Sequence, residues 1–197
     1  MAIASKKDII LETATSLFSK YGYHSVGIDR VIAEAKIAKM TLYKHFPSKE
    51  KLIEEVLQGR DNSLRKEITE AVNSSTTPLG KLKSIFQWYG DWFSSSTFHG
   101  CMFIKAIEEH TENAENIKEI SKGHKLWLIA LIESILVELN TKNEQELASH
   151  IMVILDGLTV SSNMFHQADS HQIDSAWRYV ESLILNATEE LKNVQTA

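Results

Sequence analysis

The sequence predicts an all-α protein. Prolines stand only at positions 47 and 78 and glycines number eight in 197 residues, apolar side chains recur at helical spacing, and no stretch alternates apolar and polar residues as a half-buried strand would. The 43% hydrophobic content excludes wholesale disorder and is ample for a core. The longest apolar run, Leu126 to Ile132, is well short of the roughly 18 residues that cross a bilayer, so no membrane span is expected. Residues 8 to 23 carry Asp8, Glu12 and Lys20 where a signal peptide needs an apolar stretch, which predicts a cytoplasmic protein.

The elements follow in order. From Lys6 to Tyr21 the residues Ile10, Ala14, Leu17, Phe18 and Tyr21 share a helical face, and Gly22 stands where a helix ends. Ser25 is the expected N-cap of a short second helix carrying Ile28, Val31, Ile32 and Ala35, broken around Lys36. A third runs from about Ala38 to His45 and stops before Pro47. Ser48 caps a fourth, with Glu50 in its first turn and Leu52, Ile53, Val56, Leu57, Leu64, Ile68 and Val72 along one side, to about Asn73. The linker-like run 73–78 and the serine-rich run 94–97 bracket an aromatic helix. Later helices are expected at about 101–110, 115–140, 143–166 and 171–193.

Charge divides the chain. Residues 1–50 hold eight Lys and Arg against five Asp and Glu, net +3, while the remainder holds 13 against 21, net −8. A small basic module on a larger acidic body fits a polyanion such as DNA at one end. Three short helices within forty residues, the second and third almost abutting, match the helix-turn-helix arrangement whose last helix enters the major groove. Leu42 and Phe46, spaced i and i+4, are expected to face inward, leaving Lys39, Thr41, Tyr43, Lys44 and His45 for DNA.

The run Ala38-Lys39-Met40-Thr41-Leu42-Tyr43-Lys44-His45-Phe46-Pro47-Ser48-Lys49-Glu50 resembles the signature of the TetR family of bacterial transcriptional regulators, and the resemblance continues upstream through Leu17-Phe18, Tyr21-Gly22 and Ile28-Asp29. At motif level it covers about residues 8–57; beyond them the chain is similar to the family in length and helical character. The resemblance implies a DNA-binding domain over 1–49 and a helical ligand-binding and dimerisation domain over 50–197. It implies a non-enzymatic regulator: a homodimeric repressor, released from an inverted-repeat operator in double-stranded DNA by a small-molecule inducer. Tyr43 and His45 occupy positions that commonly hold phosphates in the family, setting register without reading sequence. Ser48 and Lys49 begin a helix whose free amides and dipole favour an anion, and Ser25 is expected to act similarly at the second helix. Lys39 and Lys44 fall at variable family positions and can reach guanine O6 and N7, with Thr41 a thymine-methyl contact; each lysine also reads as a solvated charge.

Two positions depart from the family pattern. Lys36 stands where glycine is usual, and the turn is expected to persist with Lys36 exposed. Met40 replaces a small residue, which either pushes the recognition helix outward or lets a thioether meet a base.

In the larger domain, Lys81 to Phe93 carries Ile85, Phe86, Trp88, Tyr89, Trp92 and Phe93, apolar on more than one face. With Trp127, Met152, Met164 and Phe165 this suits either an aromatic core or a pocket for a hydrophobic or aromatic inducer, with Trp88, Tyr89, Trp92, Cys101, Trp127 and Phe165 as candidate ligand contacts. Cys101, the only cysteine, reads as a small buried residue or as a thiol sensor helped by His99 and Lys105. Clusters such as Glu108-Glu109-His110 and His166 to His171 lack metal-ligand spacing and read as solvated faces; neither a metal nor a cofactor is expected. Ile151, Ile154, Leu155 and Leu158 with small Gly157, Ser161 and Ser162, and a matching stripe of Val180, Leu183, Ile184, Ala187 and Leu191, are expected to form the dimer interface, the alternative being that they complete the monomer core. The competing functional reading is a helical small-molecule-binding or thiol-sensing protein with non-specific DNA affinity. An enzyme built on Cys101 lacks a visible base and orienting partner.

Overall fold

Ser5 opens the first helix by a reciprocal capping box: its hydroxyl accepts the Asp8 N–H, and the Asp8 carboxylate accepts from the Ser5 backbone N–H. In the computed structural model, which describes residues 5–110, 114–165 and 170–195 apart from the side chains of Ser170 and 189–195, every regular element is an α-helix. They are α1 (Lys6–Tyr21), α2 (Ile28–Ala35), α3 (Lys39–His45), α4 (Lys49–Asn73), α5 (Pro78–Ser94), α6 (Met102–Glu109), α7 (Glu115–Glu138), α8 (Glu144–Phe165) and α9 (Ser170–Gln195). The expected elements are all present. One local assignment is corrected: Gly27, not Ser25, is the N-cap of α2, because Val26 is fully buried and the helix starts only after the chain has been drawn into the core. Among the described residues no helix is long and apolar enough to cross a membrane.

Helix ends follow local chemistry. Pro78 begins α5 behind Thr77, whose hydroxyl accepts the Gly80 N–H. After α7 the chain reverses through Asn140 and Asn143, both at positive φ, while the Thr141 N–H returns to the Leu136 carbonyl at 3.3 Å.

The chain packs as two compact units, one of residues up to 64 with 101–124, the other of 65–100 with residues from 125 onward. By packing, α6 and the first part of α7 thus group with the three short helices, and α4 and α7 are continuous helices contributing to each unit. The first core is built from Ile10, Leu17, Phe18, Tyr23, Val31, Leu42, Phe46, Leu52, Ile53 and Phe103. It also contains a buried polar pair that joins α7 to α4, His124 Nδ1 at 2.9 Å from Asp61 Oδ1, with Phe103 of α6 stacked on the imidazole at 4.0 Å. The desolvation of such a buried pair offsets much of its attraction, so its net contribution to stability is small, whereas loss of one partner would leave the other buried without it.

The second core joins α5, α8 and α9 through Leu82, Ile85, Phe86, Ile151, Leu155, Leu158, Trp177, Val180 and Ile184. Ile151, Leu155, Leu158, Val180 and Ile184, expected at a dimer interface, are instead core residues of the single chain, because α5, α8 and α9 pack these side chains against one another. Both faces of α8 are apolar, and α5 covers this one. The face left in solvent carries Val153, Val160 and Met164, with Tyr179 and Leu185 exposed on α9. Leu191 falls outside the described side chains.

Candidate nucleic-acid interface

The α2–α3 turn is closed by backbone bonds alone. Lys36 adopts φ 53°, ψ 46° and is exposed, as expected; its N–H reaches the Ala33 carbonyl and the Ile37 N–H the Ile32 carbonyl, each at 3.3 Å. This is the Schellman pattern that glycine usually serves. It delivers α3 with Leu42 and, just beyond its end, Phe46 fully buried. Two anchors on one side fix which side chains point away.

Those are the side chains the sequence singled out. Lys39, Tyr43 and Lys44 are exposed, with Thr41 and His45 half-buried. Met40 does not disturb the anchors; it projects into solvent with 79% of its surface free, the most exposed large hydrophobic residue described. Lys39 Nζ lies 3.4 Å from Asp29 Oδ1 at the start of α2, an exposed pair that holds the ammonium only loosely.

At the start of α4 the Ser48 hydroxyl accepts the Lys51 N–H at 3.2 Å. Lys49 is half-buried, and burial draws its pKa below the ordinary lysine value, opposed by the charges of Glu50 and Glu109. A partly desolvated ammonium at a helix start gains when a phosphate arrives. Ser25 is exposed in the segment between α1 and α2.

The sequence missed how that segment is held. Glu109, at the end of α6, accepts the Tyr23 N–H at 3.1 Å and the His24 N–H at 2.6 Å. The Tyr23 hydroxyl, in the core, donates to the Met102 carbonyl at 3.0 Å, and Lys105 Nζ donates to the Ser19 carbonyl at 2.8 Å. Burial pushes the Tyr23 phenol above its ordinary pKa and draws the Lys105 ammonium below its own. Glu109 is therefore no solvated surface acid. Its partners are backbone amides, which no residue pattern announces; Gly22 beside it was the available signal.

The candidate ligand residues divide between the units. Trp88 and Trp92 stack at 5.5 Å, and Tyr89, Phe93 and Phe98 join them through edge contacts, with ring centroids 5.0 Å apart between Trp92 and Phe98. Tyr89 is buried, while Trp88, Trp92 and Trp127 are half-buried against the second core, Trp127 under the Arg65 guanidinium at 4.8 Å. Phe98 belongs to this cluster and was not singled out. Phe165 ends α8 with 70% of its surface exposed. Cys101 is a half-buried free thiol that precedes α6 in the first unit. Among the described residues no three His, Cys, Asp or Glu side chains converge on a metal position.

Residues 10–56 match the model of the bacterial regulatory proteins of the tetR family. The HTH-type transcriptional regulator LmrA of Bacillus subtilis is 30% identical over 130 residues, covering 64% of this chain and 69% of that protein. The HTH-type transcriptional repressor KstR2 of Mycolicibacterium smegmatis is 32% identical over 83 residues, 42% of this chain and 40% of that protein. The crystal structure of a TetR-family transcriptional regulator from Streptomyces coelicolor superposes with a TM-score of 0.86 at 27% identity, covering 93% of this chain and 96% of that one.

Proposed function

This chain belongs to the TetR family, a family of DNA-binding transcriptional regulators rather than enzymes, and from that premise we propose that it is a repressor that sits as a homodimer on an inverted-repeat operator and leaves it when a small molecule binds. The observation that carries the DNA-reading part is α3 itself. It buries Leu42 and turns Lys39, Met40, Tyr43 and Lys44 outward on a helix too short to need so many exposed groups for solubility. In this reading Ser25, Tyr43, His45, Ser48 and Lys49 hold phosphates, while Lys39, Thr41 and Lys44 meet base edges.

The partner for the exposed stripe of Val153, Val160 and Met164 on α8, with Tyr179 and Leu185 on α9, is a second copy of the chain. Residues 1–49 read DNA and 50–197 dimerise and bind the inducer, in the cytoplasm. Inducer contacts are assigned to the aromatic cluster of Trp88, Tyr89 and Trp92 with Trp127; such rings favour a hydrophobic or aromatic ligand.

The experiment is selection from a random duplex pool with the purified chain, followed by titration of the enriched site and of random duplex at two salt concentrations. An enriched inverted repeat is expected; retention that falls with salt and enriches no sequence would refute the sequence-reading role. On the enriched site Lys44→Ala should relax preference at one base per half-site, by about 1–3 kcal/mol, whereas Tyr43→Phe should weaken operator and random duplex alike. Equal losses on both duplexes for Lys44→Ala would remove its base-reading role.

A further inference from the structure

The segment between α1 and α2 is held from one side by one short helix. Glu109 receives two consecutive backbone N–H groups, those of Tyr23 and His24, on its two carboxylate oxygens. One helical turn earlier, Lys105 ties down the last turn of α1 through the Ser19 carbonyl, and the Met102 carbonyl receives the Tyr23 hydroxyl. The chain leaves room for the carboxylate: Gly22 has φ 81°, and a Cβ added there would lie 2.7 Å from Glu109 Oε1. The residue after the held pair is Ser25, exposed and ahead of the buried Val26.

We propose that Glu109 is a positioning residue for DNA binding, which fixes the backbone of residues 22–25 so that Ser25 meets a phosphate, without itself touching DNA. The proposal rests on the DNA-binding reading above and on the phosphate role assigned there to Ser25. A carboxylate suits the task because it offers two acceptors and charge-assisted bonds, stronger than neutral ones. Its charge also has to be occupied. An anion bared beside a phosphate site would repel DNA, and here it is satisfied by two amides, with Lys49 and Lys105 near enough to feel it and His24 Nδ1 3.7 Å away.

The test uses the full chain, with Glu109→Ala and Glu109→Gln, read by backbone amide exchange and by titration of the selected operator and a random duplex over a salt series. In Glu109→Ala the Tyr23 and His24 amides should lose protection while those of Ile10 to Phe18 keep it. Affinity should fall roughly tenfold on both duplexes, because each half-site forgoes one hydrogen bond from a neutral hydroxyl to phosphate, and the salt slope should stay that of the unaltered chain because Ser25 carries no charge. Glutamine keeps one carbonyl oxygen and should restore part of the affinity. Unchanged affinity in Glu109→Ala despite unprotected amides would overturn the proposal, as would a reduced salt slope, which would assign the effect to Lys49. If Glu109→Ala also exposes α1 to exchange, Glu109→Gln decides: intact α1 protection with affinity no better than alanine's overturns the positioning role. No retention of any duplex by the unaltered chain would overturn the DNA-binding reading instead.

Discussion

The two turns of the first unit solve the same problem by opposite means. Between α2 and α3 the backbone closes on itself, Lys36 and Ile37 returning their N–H groups to carbonyls of the helix just ended. Between α1 and α2 only the Gly22 N–H goes home, to the Phe18 carbonyl at 3.0 Å; those of Tyr23 and His24 go to a carboxylate 86 and 85 residues away in sequence. The turn that presents the recognition helix is thus self-sufficient, and the one that presents Ser25 borrows its shape from α6. A local turn survives changes made far from it, whereas a borrowed one fails when any member of the clasp is changed.

Gly22→Ala should break the comparison most severely. Its backbone, φ 81° with ψ 169°, lies in a region that essentially only glycine occupies, and the new Cβ would evict the Glu109 carboxylate from its two amides. Strain and the broken hydrogen bonds together should cost about 3 kcal/mol in urea denaturation. A loss below about 1 kcal/mol would mean that the clasp relaxes freely and that the α1–α2 turn is more local than its hydrogen bonds suggest.

The same contrast decides what the sequence could reveal. Helix limits were legible because they are set by neighbours: Pro78 at the start of α5, Asn140 after α7, and the Leu42–Phe46 pair that orients α3. Lys36 in the left-handed conformation was legible as a turn even without its glycine. Ser25 was misassigned as a cap because its type fits and the burial of Val26 cannot be seen locally. Glu109 and the His124–Asp61 pair were not legible, since their partners are a backbone and a residue on a distant helix. On α8 the two apolar stripes are chemically alike, and only the placement of α5 and α9 makes Leu155 core and Val153 surface.

Tyr23→Phe sharpens the comparison at intermediate size. Removing the hydroxyl deletes its bond to the Met102 carbonyl, which keeps its place in the α6 ladder, and should cost about 1 kcal/mol at neutral pH. Burial holds the phenol protonated in the folded chain above its ordinary value of 10.0, with the charges of Cys101 and Glu109 adding to the effect. The folded state therefore binds the phenolic proton more tightly than the unfolded one. Tyr23's contribution is complete below about pH 10 and is lost as pH rises beyond it. Denaturation at pH 9 and at pH 11 should show a smaller alkaline loss for Tyr23→Phe than for the unaltered chain; equal losses would mean that Tyr23 does not carry this dependence.

Lys36→Gly should give the smallest effect and the opposite sign. Lys36 pays conformational energy for φ 53°, ψ 46° and is exposed, so the substitution relieves backbone strain. Glycine gives back part of this through the greater freedom of the unfolded chain, leaving a gain of about 0.5 kcal/mol. Because both bonds that close the turn are donated by backbone groups, they survive the change, and amide exchange at Lys36 and Ile37 should become slower or stay as it was. Destabilisation, or faster exchange at Ile37, would show that the lysine side chain takes part in holding the recognition helix. The turn would then join the one at Gly22 in depending on something outside its own backbone.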